Sequence, residues 1–258
     1  MKQYDLVYIN GDSYSAHLNS VDVYGKHIAE YFNAEYVNSA IQNSCNSRIF
    51  RTALRDLYDL KSKKSNILAC VSLSFLFRTE LWDIGHTFTD FRNSNDGDFF
   101  SLQPFTQHGW KEHIKSLVGI QNTSNTNVYT DFHQQYAKQY AVYYDVEAET
   151  VKLIEKILLF ANWCENNNIE YIIFSPMYQE KIDFSAPFVS SFYIEIEQNK
   201  NILNPFEFSA LEWCLERNHL PMDNYQSIVN NKKYQVGHMG ASGHRALADY
   251  LIKNYLNN

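Results

Sequence analysis

Short apolar runs alternate with longer segments of helical periodicity along much of the chain. Four of these runs predict strands, because they are short and rich in β-branched and aromatic residues. They cover residues 4–9, 35–38, 66–73 and 169–174. The third run is almost entirely apolar, which is typical of a central parallel strand that is covered on both faces.

The segments between these runs carry apolar residues at a spacing close to 3.6, which predicts amphipathic helices. Because single strands alternate with helices, the pattern indicates parallel strands joined by right-handed crossovers. The expected fold class is α/β, a three-layer α/β/α domain with a mainly parallel sheet of about five strands. The predicted helices are residues 20–33, a helix that Ser47 caps and that runs to Leu60, and residues 147–167, 205–215 and 240–256.

Two segments, residues 79–145 and residues 179–235, interrupt this alternation. The first is rich in Gly, Asn, Ser and Thr, and long structureless loops are uncommon in compact domains, so we expect irregular structure with short helices near 109–118 and 130–142. The second is expected to begin with irregular structure over residues 179–206. Residues 1–258 are therefore interpreted as a single domain with two inserts.

Composition excludes several classes of protein. The net charge of −7 comes from 22 basic and 29 acidic residues, and no basic tract is present, which argues against a nucleic-acid-binding protein. The four cysteines are widely spaced without a Cys-x-x-Cys, so neither a metal site nor a redox motif is indicated, and no cofactor is expected. The sequence contains neither a signal core nor an apolar run long enough for a membrane span, which predicts a soluble, cytoplasmic protein.

The first predicted strand ends in Asn10-Gly11-Asp12-Ser13, a sequence typical of a tight turn. A serine just beyond the first parallel strand lies at the carboxyl edge of the sheet, where open α/β sheets bind their ligands. The alternative interpretation is an ordinary strand-to-helix turn with a capping side chain.

A second candidate segment, Gly237 to His244, lies immediately before and within the last predicted helix. It reads Gly-His-Met-Gly-Ala-Ser-Gly-His. Together with the Gly-Asp-Ser turn, it resembles the SGNH/GDSL hydrolase family. The resemblance implies a flavodoxin-like fold with Ser13 as the nucleophile and His238 as the base, since the family's base precedes a glycine by five positions, as His238 precedes Gly243. His244 is then expected to be a surface or packing residue of the helix.

The resemblance also implies three donors that would hold the oxyanion. The first is the backbone N–H of Ser13. The second is a backbone N–H after strand 2, where Asn43 stands in place of the family's glycine, and asparagine tolerates a positive φ better than most residues. The third is a side chain after strand 3, where Ser74 replaces the family's asparagine and offers one hydroxyl donor.

The remaining candidate residues concern the pocket and the orientation of the base. Asp12 and Arg78 are expected to line the pocket, although Arg78 and Glu80 are also placed to pair with each other. The family places an aspartate three residues before the base, and Gln235 occupies that position here. Its amide oxygen can accept a hydrogen bond from the imidazole, but it cannot stabilise an imidazolium as a carboxylate does. A backbone carbonyl or Asp223 is the alternative partner.

These residues predict a hydrolase of esters, in particular of short acyl or O-acetyl groups on a carbohydrate or small alcohol. Aromatic residues, 16% of the chain, would supply sugar contacts in the inserts. Two alternatives remain open: a non-catalytic binding module on the same fold, and a structural protein whose tyrosine-rich inserts form an interface. Specificity would lie in the inserts, so the substrate itself is not predicted.

Overall fold

The computed structural model describes thirteen stretches of the chain, and for some residues in them it describes the backbone only. The backbone-only residues are 80–82, 99–102, 187–188, 225–229 and 232–236. The described stretches are residues 2–16, 21–42, 44–76, 78–82, 99–102, 139–140, 142–177, 179, 184, 187–219, 225–229, 232–236 and 238–257.

Strands and helices alternate through most of these stretches. The strands are β1 (Leu6–Asn10), β2 (Glu35–Asn38), β3 (Ile67–Ser72), β4 (Thr79–Trp82), β5 (Phe99–Leu102), β6 (Glu170–Phe174), β7 (Tyr225–Val229) and β8 (Lys232–Val236). The helices are α1 (Tyr24–Phe32), α2 (Asn46–Leu60), α3 (Val146–Asn166), α4 (Pro187–Gln198), α5 (Ala210–Leu215) and α6 (Ala241–Leu251), and a π-helical turn (Ile252–Leu256) follows α6.

The central sheet is parallel and has the strand order β2-β1-β3-β6. Beyond β6, Ile202 forms one parallel bridge with Ile173, so a short piece of chain occupies a fifth position. The backbone N–H of Leu203 also donates to Ile173 O at 2.9 Å. The α/β fold class is therefore confirmed, with four full strands and one bridging segment where about five strands were predicted.

Both faces of the sheet are covered by helices, which gives the three layers. Leu6 and Tyr8 of β1 pack into a core with α2, α3 and α4. Val7 and Ile9 point to the other face and pack with α1, α5 and α6. Every residue of β1 and β3 is buried, which explains why their sequences are nearly all apolar instead of alternating.

Several predicted boundaries change in the structure. Helix α2 begins at Asn46, and Cys45 is its N-cap, with its sulfur accepting the N–H of Arg48, so the prediction that Ser47 caps this helix was wrong. Ser47 lies within the first turn, because the helix begins two residues earlier than predicted. Helix α4 also replaces part of the irregular structure predicted for 179–206, where Pro187 suits the first helical position and Ile196 is buried.

The predicted inserts contain two antiparallel strand pairs. Strands β4 and β5 pair with each other, as do β7 and β8. The helix predicted near 109–118 lies outside the described residues, as do most residues of the one predicted near 130–142. No helix in the described part of the chain is both long and apolar enough to cross a membrane.

Candidate active site

The turn that carries Ser13 follows β1 directly. The carbonyl oxygen of Asp12 accepts the N–H groups of Ser15 at 3.0 Å and Ala16 at 2.9 Å, and this closes the turn. Gly11 is required for space, since a Cβ there would lie 2.8 Å from Ser15 Oγ and 3.0 Å from Ser72 Cβ. Ser13 is half-buried at the carboxyl edge of the sheet, and its buried neighbours hold it there.

Asn10 joins the end of β1 to helix α2. Its side chain is fully buried, and Nδ2 donates to Ile49 O at 3.1 Å and to Thr52 Oγ1 at 2.8 Å in α2. Its Oδ1 accepts the N–H of Gly11 at 2.8 Å. A single buried amide therefore ties the start of the turn to the helix that covers this face.

A buried ion pair lies beneath the turn. Asp12 is fully buried, and its Oδ2 accepts from Arg78 Nη1 at 2.8 Å and from Ser74 Oγ at 3.0 Å. Its Oδ1 accepts the backbone N–H of Tyr14 at 3.0 Å. Three of the Asp12 contacts thus come from a turn residue and from two residues that follow β3, the neighbouring strand.

Burial and charge act against each other in this pair. Burial raises the pKa of Asp12 above its ordinary value, while Arg78, the Tyr14 N–H, Ser74 and His238 lower it. Burial lowers the pKa of Arg78, and Asp12 opposes that effect. Both groups lose hydration on folding, so each depends on the other for compensation.

These contacts differ from the roles predicted for Ser74, Asp12 and Arg78. Ser74 Oγ donates its one hydroxyl proton to Asp12, and it accepts a hydrogen bond from Arg78 Nη1 at 2.9 Å. In this arrangement the Ser74 hydroxyl is not directed to an oxyanion. Asp12 and Arg78 are buried beneath the turn instead of forming an exposed pocket wall. Arg78 pairs with Asp12, while the side chain of Glu80 is outside the described part of the structure.

His238 reaches the same edge of the sheet from the other end of the sequence. It lies three residues before α6 and is half-buried. Its ring centroid is 5.0 Å from that of Tyr14, with an interplanar angle of 40°. Since Tyr14 follows Ser13 directly, the structure brings together the two segments that carry Ser13 and His238.

Three further polar residues surround Ser74, and the sequence did not single them out for this site. Asn46 exchanges two hydrogen bonds with the Ser74 backbone, at 2.8 and 2.9 Å. Gln179 Nε2 donates to Ser175 Oγ at 2.7 Å and to Ser74 O at 3.3 Å. The sequence signal that could have indicated this cluster was position, because Ser74 and Ser175 each follow one of two adjacent strands, β3 and β6.

Three predicted site residues cannot be placed by their side chains. Asn43 and Asp223 lie outside the described residues, and only the backbone of Gln235 is described, within β8. Strand β8 ends at Val236, two positions before His238. The proposed roles of these three residues stay predictions.

His244 is a buried packing residue of α6. Its Nδ1 accepts the backbone N–H of Tyr24 at 3.4 Å, at the start of α1. The N-cap residue of α1, Val23, provides no side-chain cap, so His244 satisfies one of the N–H groups that a helix start leaves unpaired. This agrees with the packing role expected for His244 and separates it from His238.

Among the residues whose side chains are described, no group of His, Cys, Asp or Glu is arranged to hold a metal ion. All four cysteines belong to that set and are buried, and none forms a disulfide. The described side chains at this edge of the sheet include the Ser13 hydroxyl, the His238 imidazole and the buried ion pair of Asp12 and Arg78.

No protein-family model matches the sequence, and no match is found among curated proteins. Solved structures similar to the chain include the psychrotrophic esterase EstA from Pseudoalteromonas sp., with 14% identity, 98% of this chain and 100% of that chain covered, and a TM-score of 0.46. Another is the acetyl xylan esterase AlAXEase, with 14% identity, 97% and 100% coverage and a TM-score of 0.42. A third is the acetyl xylan esterase Est2A from Butyrivibrio proteoclasticus, with 13% identity, 98% and 65% coverage and a TM-score of 0.41.

Proposed function

We propose that the protein is a serine hydrolase that cleaves esters, with Ser13 as the nucleophile and His238 as the general base. The observation that carries the proposal is the packing of the Tyr14 and His238 rings, whose centroids are 5.0 Å apart. It supports the pairing because a serine hydroxyl becomes an effective nucleophile only when a base removes its proton, and imidazole titrates near neutral pH.

In the proposed reaction, Ser13 Oγ attacks the acyl carbon while His238 accepts the hydroxyl proton. The tetrahedral intermediate collapses, and His238 returns the proton to the leaving alcohol, which leaves an acyl group on Ser13. Water then attacks the acyl group while His238 accepts its proton, and His238 returns that proton to Ser13 Oγ as the acid is released. The backbone N–H groups of Ser13 and Asn43 are the proposed donors to the oxyanion.

The orientation of His238 requires an acceptor for its second ring nitrogen. Gln235 is the proposed acceptor, because β8 delivers the chain directly to His238, and a backbone carbonyl or Asp223 is the alternative. The proposed substrates are short acyl esters, including O-acetyl groups, of a carbohydrate or a small alcohol. The aromatic content of the inserts supports a sugar-contacting rim.

One observation favours a second candidate function, a binding module without catalysis. The Ser74 hydroxyl, which the family resemblance implies as the third oxyanion donor, donates to Asp12 in the structure. Removing a single oxyanion donor costs about 10²–10³ in turnover in a serine protease, which is a large but incomplete loss. The two functions therefore differ in whether any Ser13-dependent hydrolysis remains.

The test is hydrolysis of p-nitrophenyl acetate by the wild type and by Ser13→Ala, with Ser15→Ala as the matched control. Ser15 lies in the same turn, but its hydroxyl is buried and 3.1 Å from Tyr24 Oη. We expect Ser13→Ala to abolish hydrolysis with little change in Tm, and Ser15→Ala to lower Tm while turnover is retained. Equal turnover in the wild type and Ser13→Ala would exclude Ser13 as the nucleophile and favour the binding module.

A further inference from the structure

We infer that Arg78 is a positioning residue for the nucleophile turn: it holds the Asp12 carboxylate, and Asp12 accepts the backbone N–H of Tyr14, which follows Ser13 and whose ring packs against His238. The inference rests on the proposed function for its catalytic consequence. Arg78 would not touch the substrate and would act through Asp12.

The first step is the contact between Asp12 and the turn. Asp12 Oδ1 accepts the Tyr14 N–H at 3.0 Å, and this hydrogen bond fixes the peptide that joins Ser13 to Tyr14. The orientation of that peptide sets both the direction of the Ser13 side chain and the place of the Tyr14 ring. The Tyr14 ring, in turn, packs against His238.

The second step is the contact between Arg78 and Asp12. Nη1 of Arg78 lies 2.8 Å from Asp12 Oδ2, 2.9 Å from Ser74 Oγ and 3.4 Å from Ser44 O. The guanidinium also lies over the Phe75 ring, with its carbon 4.6 Å from the centroid. Arg78 thereby joins the segments that follow β1, β2 and β3, and a planar, rigid guanidinium suits this geometry better than a flexible ammonium.

The third step is the charge that Arg78 supplies. An ionised carboxylate buried without compensation is costly, so loss of Arg78 would favour protonation of Asp12. Other titratable groups that interact with Asp12 include His238, from the loop before α6, and the Tyr24 phenol of α1. Arg78 is the largest of the influences that oppose the effect of burial on Asp12, and an ionised Asp12 can accept all three hydrogen bonds at once.

The experiment compares Arg78→Met and Arg78→Lys with Arg48→Met, a matched control. Arg48 is also a buried arginine near this edge, and its Nη1 donates to Ser44 Oγ at 3.0 Å. For p-nitrophenyl acetate, we expect Arg78→Met to lower kcat by about 100-fold with KM little changed, since a misplaced nucleophile loses rate more than binding. Arg78→Lys should retain an intermediate rate, and Arg48→Met should lower Tm while kcat is kept. A wild-type kcat in Arg78→Met, or an equal loss in Arg48→Met, would overturn the inference.

A double variant covers the case in which Arg78→Met does not fold. Asp12→Asn with Arg78→Met removes both buried charges, and replacement of a buried ion pair by uncharged groups is often tolerated. We expect this variant to fold with a Tm near that of the wild type and to remain deficient in kcat. Recovery of kcat together with Tm would show that the pair only stabilises the fold, and the inference would be wrong.

A readout that does not depend on activity separates this inference from the proposed function. The Tyr14 and His238 rings are close enough to give nuclear Overhauser contacts between their protons in the wild type. We expect these contacts to weaken in Arg78→Met and in the double variant and to persist in Arg48→Met. If the wild type hydrolyses no ester but the contacts are lost as expected, the positioning role stands and the proposed function fails. If hydrolysis is observed and the contacts persist in Arg78→Met, the positioning role fails and the proposed function stands.

Discussion

Two buried regions of the same sheet differ sharply in chemistry. The middle of the sheet is apolar: Leu6, Ile9 and Leu68 have no exposed surface. At and just beyond the end of β1, Asn10 and Asp12 are equally buried but polar, and the side chain of each makes several hydrogen bonds. Equal burial therefore serves two purposes, because apolar burial stabilises the fold, whereas buried polar groups fix the position of a backbone turn.

The comparison predicts that stability and activity separate between the two regions. Leu68→Ala leaves a cavity in β3, far along the strand from the Ser13 turn, and should lower the free energy of unfolding by about 2–5 kcal/mol. The turnover per folded molecule should stay within about twofold, since the hydrogen bonds around Asp12 are unchanged. Chemical denaturation measures the free energy of unfolding. The rate of ester hydrolysis, divided by the concentration of active sites from titration, gives the turnover. A turnover that falls with stability would show that the two regions are coupled.

Asn10→Ala should have a smaller effect on stability than Leu68→Ala and a larger effect on turnover. It leaves the Gly11 N–H and groups of α2 without their buried partner, which costs about 1–3 kcal/mol in the free energy of unfolding. Because Asn10 anchors the turn, turnover should fall by more than about tenfold. The same two measurements apply, and Leu68→Ala serves as the control for a loss of stability alone. If Asn10→Ala keeps wild-type turnover, the turn does not depend on this anchor.

The smallest expected effect is a pH dependence of stability that arises from Asp12. Its pKa is raised in the folded state, chiefly by burial, above the ordinary value of 3.8. At pH values between the ordinary pKa and the raised pKa of the folded state, the folded protein binds more protons than the unfolded protein. The free energy of unfolding therefore falls as pH rises through that window. The double variant Asp12→Asn with Arg78→Met should lack this slope. Denaturation at several pH values checks the difference, and parallel curves for the two proteins would contradict it.

Strands β1, β3 and β6 were predictable because they are almost entirely buried and therefore apolar. The run 169–174 was located within one residue of β6, and residues 35–38 coincide with β2, although that edge strand is exposed or half-buried. Helix α4 was missed because its sequence contains many aromatic and β-branched residues, which favour strands when considered locally. Packing of α4 against α3 overrides that preference, and a local pattern carries no information about such packing.

The candidate site was predictable where the chain itself carries a motif and unpredictable where it depends on distant contacts. Ser13 and His238 stand in recognisable local sequences. The pair between Asp12 and Arg78 joins residues 66 positions apart, whereas the sequence indicated the nearby Glu80 as the partner of Arg78. The role of the Ser74 hydroxyl follows from that pair, so it was unpredictable for the same reason.

The bond between His244 and Tyr24 has a consequence for the order of events during folding. It joins positions 220 residues apart, and it completes the start of α1 with a group from α6. Contacts of such long range form late, because the loop between them must first be closed at a cost in chain entropy. During synthesis, α1 would therefore emerge early with an incomplete first turn. The same docking of α6 that completes this turn brings the adjacent His238 to Tyr14, so a nascent chain would gain its paired Ser13 and His238 segments only in the last stage of folding.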